Sequence, residues 1–531
     1  APGRKYPQLR TEPMALIHIA TLSATLSLFS APAPGPVSAV DLELGEVLSH
    51  AREPAHRPAW DELENGLTLI GDGLIQMLET PFEITFAPTG AFRLSSQGPL
   101  GNTSGWDGET FWSRTAEGPT AELHLEAKNQ QLLGQWVHSG YWVDAGPAIE
   151  LELIGETEQR ITLGIGVADA ESDSRLVLDA GSWLPMELIQ SRISYDLTTT
   201  FSDYRMVAGV PIAHRLTTTG SPVEGHLQIN SASPATPDPG DRFHMSTASP
   251  KDTRFTEDTP SAIEIRRVRS GHLIVHPLVN GDDLGWFILD TGAGRLCIDP
   301  GAADKLDLPK FGAVAAVGVS GAVTANYRRA STLSLGPVEL SNPVFVEIDL
   351  AFLEQHFGVP VSGICGYDLF ARTVFELDLQ GPNAAIHDPS TFELEGDVWT
   401  DLVLTDNLPS IQCRFEGDQV GLFRIDTGDS GTVHFHSPAV KRLELLKDRR
   451  VTGHAQVGGV GGMSTVTVAE LEWFTLGGRR YEEVSALFSD SEIGAHSSQQ
   501  TMGTLGSKLF EPFIILFDYQ GQRIALIPRG E

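Results

Sequence analysis

Cysteine is nearly absent. The 531-residue chain carries only Cys297, Cys365 and Cys413, none in its first half and none in a C-x-x-C pair. That scarcity gives no basis for a disulfide framework or a structural zinc site. Cys297 and Cys365 stand in apolar stretches and read as small buried hydrophobes. Basic residues are also few, 37 Lys and Arg against 69 Asp and Glu, a formal charge of −32 with no basic run. Nucleic acid is thereby set aside as a partner, since phosphate binding needs clustered cations. No uninterrupted apolar run is long enough for a confident membrane span. Walker, Rossmann and G-x-S-x-G patterns are missing from any strand–turn–helix setting.

What the chain does have is glycine and proline, 54 and 33 residues, with 41% hydrophobic and 20% charged residues. This is the composition of a globular protein with many turns and short strands, long enough for two or three domains. Residues 14–39, MALIHIATLSATLSLFSAPAPGPVSA, form an apolar stretch preceded by Arg4, Lys5 and Arg10 and closed by small residues. Residues 1–39 therefore read as an export segment, and the mature chain is expected in a periplasm or secreted. The acidic excess favours solubility in such a setting.

Residues 231–261 are rich in Pro, Ser, Thr and Asp, without apolar periodicity, and read as an exposed linker. Residues 40–230 before it alternate apolar and polar positions in short runs such as FEITF, FRLSS, AELHLEA, IELELIG and SRLVLDA. A period of two predicts successive antiparallel strands with one wet face. DELENGLTLI leaves room for an early helix. The segment 179–220 resembles the sheet of LolA-like lipoprotein-carrier domains, which implies a concave face suited to an apolar ligand. A spacer or docking domain is the alternative.

The rest of the chain is a duplication. NGDDLGWFILDTG is repeated as EGDQVGLFRIDTG, PGAADKL as SPAVKRL, and GICGYDLFARTVFELDLQG as GTLGSKLFEPFIILFDYQG, in the same order. In each copy an apolar strand ends on an aspartate in a D-T-G turn, Asp290 and Asp426, with an apolar-apolar-Gly turn following at Ile364–Gly366 and at Thr504–Gly506. Residues 262–531 thus resemble the retropepsin-like aspartic proteases, as in the bacterial aspartyl protease family, with lobe 1 at 262–395 and lobe 2 at 396–531. The chemistry fits the pattern: two carboxylates brought together cannot both ionise cheaply, so one proton is shared and a water between them can be activated. The resemblance makes Asp290 and Asp426 the catalytic pair, supported by Thr291, Gly292, Ala293, Thr427, Gly428 and Asp429. The glycine-rich hairpins with Gly318, Gly321, Gly458 and Gly461 become flaps over an extended peptide. No metal or cofactor is required, and with both halves on one chain a monomer suffices.

One residue departs from the family pattern. Asp429 stands where a small or hydroxyl side chain is usual, putting a third carboxylate beside the pair. His434 and His436 alternate next to the second D-T-G, but no third ligand has matching spacing, so they read as strand or surface histidines. Trp106, Phe111 and Trp112 suit an apolar pocket or plain strand packing. The expectation is a mainly β protein, an N-terminal antiparallel sheet domain followed by a bilobal acid-protease β-barrel domain. Its expected activity is endopeptidase cleavage of a peptide or protein substrate. The alternative is an inactive peptide- or lipid-binding carrier on the same fold.

Overall fold

Strict alternation of buried and solvent-facing side chains, as in Leu67–Ile75 and Arg160–Val167, lets each N-terminal strand bury one face and wet the other. The computed structural model describes residues 43–529 apart from 54, 56, 116, 169–172, 238–239, 320, 397 and 461. The export segment expected at 1–39 lies outside the described residues, as does Gly461. Among the described residues no helix is long and apolar enough to cross a membrane.

The N-terminal strands form one 13-stranded sheet of two meanders. One runs back from Thr120–Glu122 to Leu67–Ile75, the other from Gly225–Pro234 to Ile149–Glu156, and they join where Leu67 pairs with Pro234. The chain crosses between the two outer edges through the helix Leu125–Ser139. Leu132, Leu133, Trp136 and Val137 lie on one stripe of it and pack among the buried Phe82, Ile84, Leu163 and Ile212 of the sheet.

Three expectations change here. The AELHLEA run is strand only as far as Glu122, because the apolar stripe that begins at Leu132 has helical spacing and draws Leu125 onward into the helix. DELENGLTLI is not a helix: the helix Arg57–Asp61 ends at its first residue, Gly66 turns with a φ of 79°, and Leu67 begins a strand. The sequence Asn65–Gly66 is turn chemistry, and Leu67 and Leu69 gain burial by alternation. The concave face is filled by the helix, with a cavity of only about 10 Å³ beside Val137, Trp142 and Tyr204, so an apolar ligand there would have to displace it.

Residues 231–261 are fastened rather than free. The strand from Gly225 continues to Pro234, and Thr253–Phe255 adds an edge strand beside Val338–Ser341. The Trp112 indole donates to the Phe243 carbonyl at 2.7 Å, and buried Arg372 of lobe 1 pairs with Asp252 at 2.5 Å. Composition alone hid these contacts because each partner is distant in sequence.

Each lobe is an eight-stranded sheet with the same strand order. In lobe 1 the strand before Asp290, Trp286–Leu289, lies parallel to Val361–Cys365; in lobe 2, Gln419–Asp426 lies parallel to Gly503–Gly506. The two lobes share a six-stranded sheet in which Val374–Asp378 of lobe 1 pairs with Phe513–Asp518 of lobe 2. One apolar core runs through both lobes beneath it. The N-terminal domain rests on both, with Gln76 accepting from the Ala313 N–H of lobe 1 and Gln522 of lobe 2 donating to the Glu122 carbonyl. The fold is therefore mainly β, an antiparallel sheet domain followed by a bilobal acid-protease domain.

Candidate active site

Phe287, Leu289, Phe423 and Ile425 are buried on the strands leading to the two aspartates, which gives each carboxyl a rigid base. The D-T-G turns then face one another across the lobe interface. Thr291 donates its hydroxyl to the Ile425 carbonyl and Thr427 donates its own to Leu289, each at 2.9 Å. Each threonine N–H also donates to the other's hydroxyl at 3.0 Å. The hydroxyl and N–H of each threonine are thus satisfied by the opposite lobe.

These bonds bring Asp290 and Asp426 within hydrogen-bonding reach of each other. Gly292 N–H donates to Asp290 at 2.7 Å and Gly428 N–H to Asp426 at 2.8 Å. The glycines allow this approach: a methyl group on Gly428 would lie 2.6 Å from the Asp290 carboxyl, and one on Gly292 would overlap that of Asp426. Burial pushes both carboxyls above the usual range, and for Asp426 the Asp290 charge adds to the rise. The pair therefore holds one proton more firmly than an isolated aspartate would.

Asp429 belongs to this group. Burial and then the Asp426 charge push its carboxyl up to about 6, against a bond from Gly431 N–H and the nearby His272. Its charge in turn raises Asp290. Ala293, its counterpart, has no charge to add.

The two glycine-rich hairpins close with a one-residue difference in register. In lobe 1 Gly318 pairs with Gly321; in lobe 2 the closing pair is Gly459 with Gly462, and Gly458 pairs with Met463. The repeat offset read across the glycines was short by one because lobe 2 has glycine at 458, 459, 461 and 462, and only pairing decides between them. The tips meet: Gly318 packs on Val460 and Gly459 on Val319.

Several residues at the site gave no motif signal. Arg424, two positions before Asp426, is buried and its charge lowers Asp426 toward ionisation. A lone arginine in an otherwise apolar strand was the available clue. His272 donates its Nε2–H to the Gly428 carbonyl at 2.8 Å, and Asn407 donates to the Gly294 carbonyl from the matching turn of lobe 2. His434 and His436 are fully buried, not surface residues, and His496 joins them, its ring 3.8 Å from that of His434. Burial lowers all three, His496 to about 4. Among the described residues no group of three His, Cys, Asp or Glu side chains is arranged to hold a metal. All three cysteines are buried and free.

Residues 275–369, most of lobe 1, match the family model described as aspartyl protease. Among solved structures the chain is similar to basic 7S globulin from soybean, at 10% identity over 50% of this chain and 94% of that one, TM-score 0.30. It is also similar to conglutin gamma from lupine seeds, at 13% identity over 51% and 96%, TM-score 0.32. An aspartic proteinase from Irpex lacteus has 13% identity over 51% and 97%, TM-score 0.31. No curated protein matches the sequence.

Proposed function

We propose that the chain is an aspartic-type endopeptidase with Asp290 and Asp426 as its catalytic pair. The observation that carries this reading is the reciprocal clasp of the two D-T-G turns, which holds one carboxyl from each lobe at a shared, proton-retaining site. A water between the carboxyls loses a proton to the ionised member and attacks the peptide carbonyl. The protonated member donates to the forming oxyanion, and the proton pair then redistributes as the amine leaves. Arg424 favours ionisation of Asp426 while burial opposes it, and the net rise favours keeping one proton on the pair. The flap tips would close over an extended substrate and exclude bulk water.

Both carboxylates come from one chain, so this chemistry asks for no dimer. Export, and a periplasmic or secreted setting, remain the reading of residues 14–39. A carrier that binds peptides without cleaving them is the second reading, favoured by Asp429, whose charge loads a third carboxylate onto the pair. A peptide library incubated with the chain from about pH 3 to about pH 8 separates the two. Cleavage lost in Asp290→Asn supports the peptidase; binding without cleavage by folded protein at every pH supports the carrier.

A further inference from the structure

A second site is built between the N-terminal domain and lobe 2, away from both D-T-G turns. Its volume is about 160 Å³, and its walls come from the start of the helix Leu125–Ser139, the hairpin tip at Arg192–Ile193 and the loop Ser497–Gln500. The joint is specific. Glu126 N–H donates to the Gln500 side chain at 2.8 Å, Gln500 donates back to the Glu126 carboxyl at 2.6 Å, and Ser497 donates to the Ile193 carbonyl at 3.1 Å.

One cation, Arg192, and three carboxylates, Glu126, Asp173 and Glu492, line this space. Arg192 is part-buried; its Nε is buried without a hydrogen-bond partner, and among the described residues it forms no ion pair, although the Glu126 and Asp406 charges act on it. A planar carboxylate is the acceptor that the fork of a guanidinium fits. Glu126 is bonded by the amides of Gln130 and Gln500 and forms no ion pair among the described residues, and burial with the nearby Asp406 charge pushes it up to about 7 against the charges of Arg192 and Arg424. It lacks an ammonium partner. The polar side chains of Asn129, Ser191 and Gln499 line the space between.

The size narrows the ligand. The volume equals roughly five waters at about 30 Å³ each and falls below the roughly 300 Å³ of a cofactor or drug-sized pocket. We propose that this interdomain cavity binds a free amino acid or a dipeptide, its carboxylate on the Arg192 guanidinium and its ammonium on Glu126. The site stands whether or not the chain cleaves peptides, and a bound ligand would tie the N-terminal domain to lobe 2.

Calorimetric titration of the full chain in the Asp290→Asn background, where turnover is removed, tests this with glycylglycine, acetate and methylammonium as probes. Glycylglycine is expected to bind at one site, with acetate and methylammonium each at least roughly tenfold weaker because each engages one charge only. Arg192→Gln is expected to weaken glycylglycine at least roughly tenfold. Asn129→Leu, which fills the cavity and leaves both charges in place, is expected to do the same and decides the matter if the arginine variant does not fold. Absence of binding, or glycylglycine binding unchanged in Asn129→Leu, overturns the proposal. Acetate binding as tightly as glycylglycine also overturns it and leaves a simple anion site.

Discussion

Thr291 and Thr427 each hold the other's backbone. The N–H of one donates to the hydroxyl of its partner at 3.0 Å in both directions, and each hydroxyl donates a hydrogen bond to the carbonyl preceding the opposite aspartate. The two carboxyls are aligned by this exchange, since the residues on either side of each are fixed by the other lobe. Thr291→Ala orphans the Thr427 N–H and the Ile425 carbonyl in a buried setting. The expected loss is about 1–3 kcal/mol for each orphaned group, read by urea unfolding, with cleavage falling in parallel. Thr291→Ser keeps the hydroxyl and is expected to stay within about 1 kcal/mol of the parent.

Asp429 sets the pH range. Its carboxyl is raised to about 6, so on unfolding it releases its proton, and stability from this group falls as pH rises from about 4 to about 6. Asp429→Asn is expected to flatten that part of the stability profile by on the order of 2 kcal/mol. Because the Asp429 charge also raises Asp290, Asp429→Ala is expected to move the pH–rate profile of peptide cleavage toward acid. An unmoved profile would mean that solvent screens Asp429 from the pair.

The buried histidines act in the opposite sense. His434, His436 and His496 have lowered folded values, so their contribution is present above the ordinary histidine range and lost as pH falls through it toward about 4. His496→Leu is expected to reduce the loss of stability on acidification between about pH 6.5 and about pH 4, measured by thermal unfolding across that range. A steeper acid loss in the variant would contradict the neutral, buried state of the cluster.

Asp252 is the counter-ion that fastens residues 231–261 to lobe 1. Its partner Arg372 is 7% exposed, so Asp252→Ala removes the closest counter-ion of a buried guanidinium and leaves only the longer contact with Asp368 at 3.9 Å. The expected cost is about 3–5 kcal/mol in chemical unfolding. A cost below about 1 kcal/mol would class the pair with exposed ion pairs.

The parts legible in the sequence were those written locally. The apolar strand ending on Asp290, its copy ending on Asp426 and the later glycine turns lie in short stretches whose order repeats, so the two lobes could be read directly. His272 and Asn407 could not, since they reach the site through turns whose partners are far away in the chain. The helix from Leu125 was masked by the alternating AELHL that precedes it. His496 meets His434 across sixty-two positions without any spacing rule to announce it. Arg424 alone was visible as an oddity, a charge where its lobe 1 counterpart is Ile288.

The most direct test of the shared carboxyl site is the cleavage rate of one susceptible peptide by Asp290→Asn, Asp426→Asn and the double variant, with folding checked by circular dichroism. Two groups that share one proton act as a unit, so each single variant is expected to lose at least about a thousandfold and the double variant to lose no more than either. Substantial activity in one single variant, or a double loss equal to the product of the single losses, would contradict the account.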